Sequence, residues 1–243
     1  MIEIMDTTLR DGEQTSGVSL SAREKLSIAQ LLLDELNADR IEIASARVSE
    51  GELDAVRRIT ACAAERDTKQ SGGNLLSRIE ILGFVDGGVS LDWIADAGGR
   101  VINLLSKGSL KHCREQLGKT PEQHIADIKR DIALAVEKGI KVNIYLEDWS
   151  NGMRHSPDYV IAMVDALRGE SIERFMLPDT LGILNPYDTE QYCRTMVERY
   201  HSLRFDFHPH NDYVLAVANV MAAVKAGIKG IHTTVNGLGE RAG

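Results

Sequence analysis

The chain has 243 residues, 43% of them hydrophobic, and a formal net charge of −8. That length allows one large core, the acidic balance argues against a nucleic-acid-binding surface, and no apolar run reaches the ~18 residues a membrane span needs. Cys62, Cys113 and Cys193 lie far apart without zinc-type spacing and read as reduced thiols of a cytoplasmic protein, and the N-terminal MIEIMD carries no signal-peptide pattern.

In chain order, the β-rich run 2–6 predicts a first strand. Ser21 is placed to cap a helix over 22–36, with Leu26, Ala29, Leu32, Leu33 and Leu36 on one face. A strand at 40–44 and a helix at 50–65 follow, then the loop-like DTKQSGGN at 67–74. Strand three is expected at 78–84, a short helix near 91–97, and strand four at 101–105. Pro121 opens a helix to Lys138, where Gly139 supplies the stop. Strand five (141–146), a helix (157–167), strand six (174–177) and a helix from Pro186 to about Tyr200 continue the alternation. Strand seven (204–208), a helix (213–226) and strand eight (230–235) complete it.

Eight strands alternating with seven helices predict a parallel sheet, and eight is the number that closes a (β/α)₈ barrel. The rival, an open doubly wound sheet, lacks a GxGxxG after strand one. The chain reaches Gly243 where the eighth helix is expected to begin. The pattern therefore predicts one catalytic barrel domain over 1–243, C-terminally truncated and without a regulatory domain.

Barrel enzymes carry their chemistry at the C-terminal ends of the strands. Arg10, Asp11, Glu13 and Gln14 follow strand one, Tyr145 and Glu147 strand five, Asp179 and Thr180 strand six. HPHND at 208–212 ends strand seven, and its two histidines fall on the same side of a strand. One carboxylate and two neutral imidazoles form a facial set for a divalent metal with open positions. Asp11 and the pair His208 and His210 can meet, because only strand eight separates their strands around a closed barrel. The open positions suit a 2-oxo acid, whose ketone the metal polarises as a Lewis acid. Arg10 is placed to stabilise charge on that oxygen.

DTTLRDGEQ (6–14), HPHND and NGLGERAG (236–243) stand in this order along a barrel pattern. With them the whole chain resembles the metal-dependent Claisen-condensing barrel enzymes: the 2-isopropylmalate, homocitrate and citramalate synthases, with hydroxymethylglutaryl-CoA lyase as a distant relative. The resemblance implies acetyl-CoA and a 2-oxo acid as substrates and Asp11, His208 and His210 as ligands of Mg²⁺, Mn²⁺, Co²⁺ or Zn²⁺. It further implies a homodimer, and an asparagine after GERAG that this sequence does not reach. The loop with Asn236, Gly237 and Gly239 resembles the one near acetyl-CoA. IEIASARVSEGE, IEILGFVDG, INLLSKGSL, VNIYLEDWSNG and MLPDTLG look most like citramalate synthase.

A wall of Leu82, Leu105 and Tyr145 suits the methyl of pyruvate, whereas 2-isopropylmalate synthases typically carry serine at the position of Tyr145. Arg47 keeps a charged side chain such as that of 2-oxoglutarate in play. The expected reaction is condensation of acetyl-CoA with pyruvate to (R)-citramalate. Thr180 binds the carboxylate, Arg10 polarises the ketone, and Glu147, or secondly Glu13, serves as acid and base. The alternatives are 2-isopropylmalate synthase acting on 2-oxoisovalerate, a barrel that binds metal and 2-oxo acid without turnover, and a retro-Claisen lyase. The lyase carries a cysteine in its last glycine-rich loop that NGLGERAG lacks.

Overall fold

Parallel pairing joins every strand to the next, and the last to the first. In the computed structural model, which describes residues 1–69 and 73–243, the strands are β1 (Glu3–Asp6), β2 (Arg40–Ser45), β3 (Ile79–Phe84) and β4 (Val101–Lys107). They continue as β5 (Lys141–Glu147), β6 (Arg174–Asp179), β7 (Phe205–Pro209) and β8 (Gly230–Thr233). They form a closed barrel in sequence order, sealed by Glu3 beside Gly230 and Met5 beside His232. The chain is a (β/α)₈ barrel, and β8 closes on β1 within these residues.

The helices are α1 (Ala22–Asp34), α2 (Glu50–Lys69), α3 (Val89–Asp96), α4 (Pro121–Glu137), α5 (Trp149–His155), α6 (Pro157–Leu167), α7 (Pro186–Arg199) and α8 (Ala216–Lys225). Their starts are chemically marked. Ser21 and Glu24 form a reciprocal capping box on α1, and Thr120 and Gln123 form another on α4. Asn185 accepts from the Tyr187 and Asp188 N–H groups ahead of α7. Gly139 takes the left-handed φ of +65° that ends α4.

Several boundaries differ from the sequence expectation. The second helix runs on to Lys69, so residues 67–69 of the expected loop are helical, while residues 70–72 lie outside the described residues. The fifth crossover holds an extra helix, α5, inside the stretch read as loop. The last helix starts at Ala216 rather than 213, because Val214 has φ of +59° and Asn211 Oδ1 accepts the Ala216 N–H at 3.1 Å. The eighth strand ends at Thr233, where the chain turns toward Asn236 at φ +55°.

Strand alternation sorts the core into two compartments. Ile41, Ile43, Ile79, Ile81, Phe205 and Phe207 face the helices and are buried in one apolar cluster. Each such buried side chain contributes roughly 1.5–3 kcal/mol. The alternate residues face the barrel axis, and the lower layers there are polar. Arg40 pairs with Glu80 at 2.9 Å and with Asp206 at 2.5 Å, and Arg174 reaches Asp206 at 3.3 Å. One layer up, Asn143 donates to Asn103 Oδ1 at 2.8 Å, and Asn103 donates to Glu42 Oε1 at 2.7 Å. Above these, Met5, Leu82, Tyr145 and Met176 form a small apolar patch, with Leu105 packed against it. Among the described residues, no helix is long and apolar enough to cross a membrane.

Candidate metal centre and the cavity above it

After β1 the chain turns tightly: the N–H groups of Arg10, Asp11 and Gly12 all donate to the Thr7 carbonyl, at 3.0, 2.8 and 3.2 Å. Asp6 braces this turn by accepting the Thr8 N–H at 2.9 Å. The turn aims Arg10 and Asp11 inward at the mouth of the barrel. From β7, His208 and His210 arrive with ring centroids 5.0 Å apart. Candidate ligand atoms of Asp11, His208 and His210 lie within 4.8 Å of one another, and all three residues are buried.

The electrostatics favour a cation. His208 Nε2 is 3.1 Å from Asp11 Oδ2, and Asp11 Oδ1 is buried with no hydrogen-bond partner. Burial works to raise the Asp11 carboxyl, but the neighbouring Arg10 charge holds it below the usual carboxylate range. Burial, and after it the neighbouring His208, lowers His210 to about 4, so its ring is neutral and offers a lone pair near pH 7. These donors fit a divalent ion of the kind bound by oxygen and imidazole.

Above the triad lies a cavity of about 220 Å³. Leu82, Leu105, Tyr145 and Pro178 give it an apolar side, while Arg10, Thr180, Glu147, His208 and His210 line it with polar groups. Thr180 Oγ1 accepts the Asp148 N–H at 2.8 Å, which leaves its own proton free to donate into the cavity. Glu147 is ion-paired with Lys107. Arg10 donates through Nε to Glu42 at 2.5 Å and through Nη2 to the Tyr145 hydroxyl at 3.4 Å. A larger cleft of about 430 Å³ sits to one side, lined by residues such as His112, Asp148 and Leu181. The metal-type donors converge on the smaller one.

Most of the residues expected from sequence therefore share one cavity; Asp11 lies beneath it with the histidines, and Glu13, Asn236, Gly237, Gly239 and Arg47 stand outside its lining. Glu13 lies in a neighbouring cleft, held by Lys25 Nζ at 2.5 Å and by the Leu20 N–H at 2.8 Å. Lys25 also donates to the Leu9 carbonyl at 3.1 Å, which ties Glu13 to the turn that carries Arg10, and Arg10 lines the same neighbouring cleft. Asn236, Gly237 and Gly239 stand in the loop after β8, where both backbone polar groups of Gly239 bond Thr15 Oγ1 at 2.9 Å. That loop borders the cavity through Glu240. Arg47 is half-exposed and pairs with Asp86 at 2.9 Å, away from the wall it was expected to charge.

Sequence reasoning gave no role to Gln14, Pro178 or Glu240, which line the cavity, or to His232 beneath it. His232 is two residues after Gly230, in step with the inward side of a short strand, and that periodicity is the signal that marks it.

The HMGL-like family model matches residues 1–243. The chain is 36% identical over 243 residues to a putative (R)-citramalate synthase of Methanopyrus kandleri, covering 100% of this chain and 45% of that protein. It is 36% identical over 242 residues to a probable 2-isopropylmalate synthase of the same organism, covering 100% and 45%. A homocitrate synthase of Sulfurisphaera tokodaii is 36% identical over 244 residues, with 100% and 50% covered. The chain thus spans about half the length of these curated relatives. Among solved structures, hydroxymethylglutaryl-CoA lyase of Bacillus subtilis superposes with a TM-score of 0.79 at 20% identity, covering 98% of this chain and 78% of that one, a likeness of fold.

Proposed function

The chain belongs to the HMGL-like family, and from that premise we propose that it is the catalytic barrel of an acyltransferase that condenses acetyl-CoA with a 2-oxo acid, pyruvate, to give (R)-citramalate and CoA. The observation that carries this reading is the meeting of Asp11, His208 and His210 with Arg10 and the Leu82–Leu105–Tyr145 wall around one small cavity.

Asp11, His208 and His210 would hold the divalent metal, Mg²⁺, Mn²⁺, Co²⁺ or Zn²⁺, which when bound supplies Lewis-acid polarisation of the ketone. Arg10, fixed by Glu42, adds a guanidinium that stabilises negative charge on the ketone oxygen. The Thr180 hydroxyl donates to the substrate carboxylate. The apolar wall takes the pyruvate methyl, and Tyr145 fills volume that a branched acid needs. Glu147 takes a proton from the acetyl methyl as the new C–C bond forms to the ketone carbon. The ketone oxygen gains a proton, and water then cleaves the thioester to release CoA. The loop of Asn236, Gly237 and Gly239 is assigned to the acetyl-CoA side of the mouth.

Calorimetric titration of the Mn²⁺-loaded protein with pyruvate, 2-oxoisovalerate and 2-oxoglutarate tests the reading. Pyruvate is expected to bind most tightly, and Asp11→Ala to lose that binding. Tighter binding of 2-oxoisovalerate would instead support a 2-isopropylmalate synthase. Binding of none of the three would sink both.

A further inference from the structure

Beneath the metal-type donors runs a chain of buried polar groups that the reaction does not use directly. Asp206 lies against Arg40 at 2.5 Å and Arg174 at 3.3 Å, two guanidinium groups that hold it as a carboxylate able only to accept. Its site exists because β8 offers glycine there: a Cβ on Gly230 would fall 1.9 Å from Asp206 Oδ1. Asp206 Oδ2 is 3.3 Å from His232 Nε2, so that nitrogen carries the proton. His232 Nδ1 of the neutral ring is then an acceptor.

Two groups reach that single lone pair. His208 Nδ1 and the Tyr145 hydroxyl each lie 3.1 Å from it. If Tyr145 took it, His208 Nδ1 would face His232 either as a donor without an acceptor or as a second lone pair, both costly in a buried site. If His208 donates, both nitrogens of His232 and Nδ1 of His208 are matched. Tyr145 accepts from Arg10 and keeps its own proton for the cavity it lines.

We propose that His232 and Asp206 are positioning residues for the metal site: they fix the proton of His208 on Nδ1 and so present its Nε2 lone pair toward Asp11. The consequence is visible at the far end of the chain. His208 Nε2 and Asp11 Oδ2 become two acceptors 3.1 Å apart, an arrangement that a cation between them satisfies. Asp206 and His232 thus act as the partner that orients a ligating imidazole and raises its basicity.

The inference rests on reading Asp11, His208 and His210 as the metal site, and two measurements separate the two claims. The first is Mn²⁺ affinity, followed by electron paramagnetic resonance, of the unmodified protein, His232→Gln and His232→Leu. Glutamine can accept from His208 and donate to Asp206; leucine can do neither. The leucine variant is expected to bind Mn²⁺ roughly 10–100-fold more weakly, with glutamine restoring most of the loss. Unchanged affinity in the leucine variant, or equal loss in both, overturns the proposal.

The second measurement is long-range ¹H–¹⁵N correlation of the metal-free, unmodified protein, which needs no variant to fold. A protonated Nδ1 on His208 is expected, and a bare one overturns the proposal. An unmodified protein that binds no Mn²⁺ rejects the metal site, and the ¹⁵N spectrum still decides where the His208 proton lies.

Discussion

Arg10 Nε donates to Glu42 Oε2 at 2.5 Å, and the other Glu42 oxygen accepts from Asn103 at 2.7 Å. The guanidinium at the cavity floor is therefore anchored by a fully buried carboxylate on the neighbouring strand β2, and Arg10 itself is largely shielded from water. Removing Glu42 leaves the guanidinium without its main counter-charge in a poorly solvated place. Glu42→Ala is expected to destabilise the fold by about 3–5 kcal/mol. Glu42→Gln retains one acceptor for Arg10 and should cost clearly less. Urea unfolding of the two variants checks the ranking, and equal losses would show that the charge of Glu42 is unimportant to the pair.

The same pair shows where sequence and structure part. Strand order, barrel closure and the meeting of Asp11 with His208 and His210 follow from periodicity and from the rule that places chemistry after the strands. The interior below them was equally written in the sequence. Arg40 and Glu42 alternate with Ile, Asp206 and His208 alternate with Phe, and Asn103 stands between Ile102 and Leu104, the signature of a polar side turned to the axis. Placing those strands without following their alternation left the network out. Which polar groups pair, such as Arg40 with Asp206 across the barrel, depends on closure and stagger, which no local pattern states.

α5 was missed for a different reason. WSNGMRH has a mid-segment glycine and only modest helix formers, so local propensity disfavours it. Tertiary packing overrides that: Trp149 is fully buried, edge-on to Phe207 at 6.5 Å. Gly152 lies so close to the turn after β4 that an added Cβ would sit 2.1 Å from the Gly108 carbonyl oxygen and 2.8 Å from Val160. Gly152→Ala would remove a helix-weakening residue yet is expected to destabilise by at least about 1–3 kcal/mol, the cost of overpacking. A raised melting temperature would mean that α5 has room to move outward.

Tyr145 closes one side of the cavity beside Leu82, and its hydroxyl sits within 3.1 Å of His232. On the pyruvate reading, Tyr145→Ser opens space for a branched acid. Each methylene accommodated is worth about 1–3 kcal/mol in discrimination. The preference for pyruvate over 2-oxoisovalerate should therefore fall by 10-fold or more, chiefly through tighter binding of the branched acid. Competitive calorimetry with the two acids measures the ratio, and an unchanged ratio would remove Tyr145 from the specificity wall.

His124 offers a pH test away from the metal centre. It is buried on α4, where Nδ1 meets the Tyr159 hydroxyl at 3.0 Å and Nε2 accepts the Lys107 N–H at 3.4 Å. Tyr159 donates its proton to the Lys107 carbonyl at 2.9 Å, so Nδ1 of His124 is the donor to it and the neutral ring satisfies all three contacts. Burial, and after it the positive Lys119, lowers His124 to about 4. In the unfolded chain the ring takes its proton below about 6.5. Between these values the unfolded state holds more protons than the folded one, so stability is full above pH 6.5 and falls as the pH drops toward 4. The contribution lost is about 3 kcal/mol over that window, at roughly 1.4 kcal/mol per pH unit. His124→Gln should flatten that part of the slope between pH 6.5 and 4.5, measured by urea unfolding of the metal-free protein, while buried His210 and His232 retain a dependence of the same sign. A slope as steep as that of the unmodified chain would mean that His124 titrates freely in the folded state.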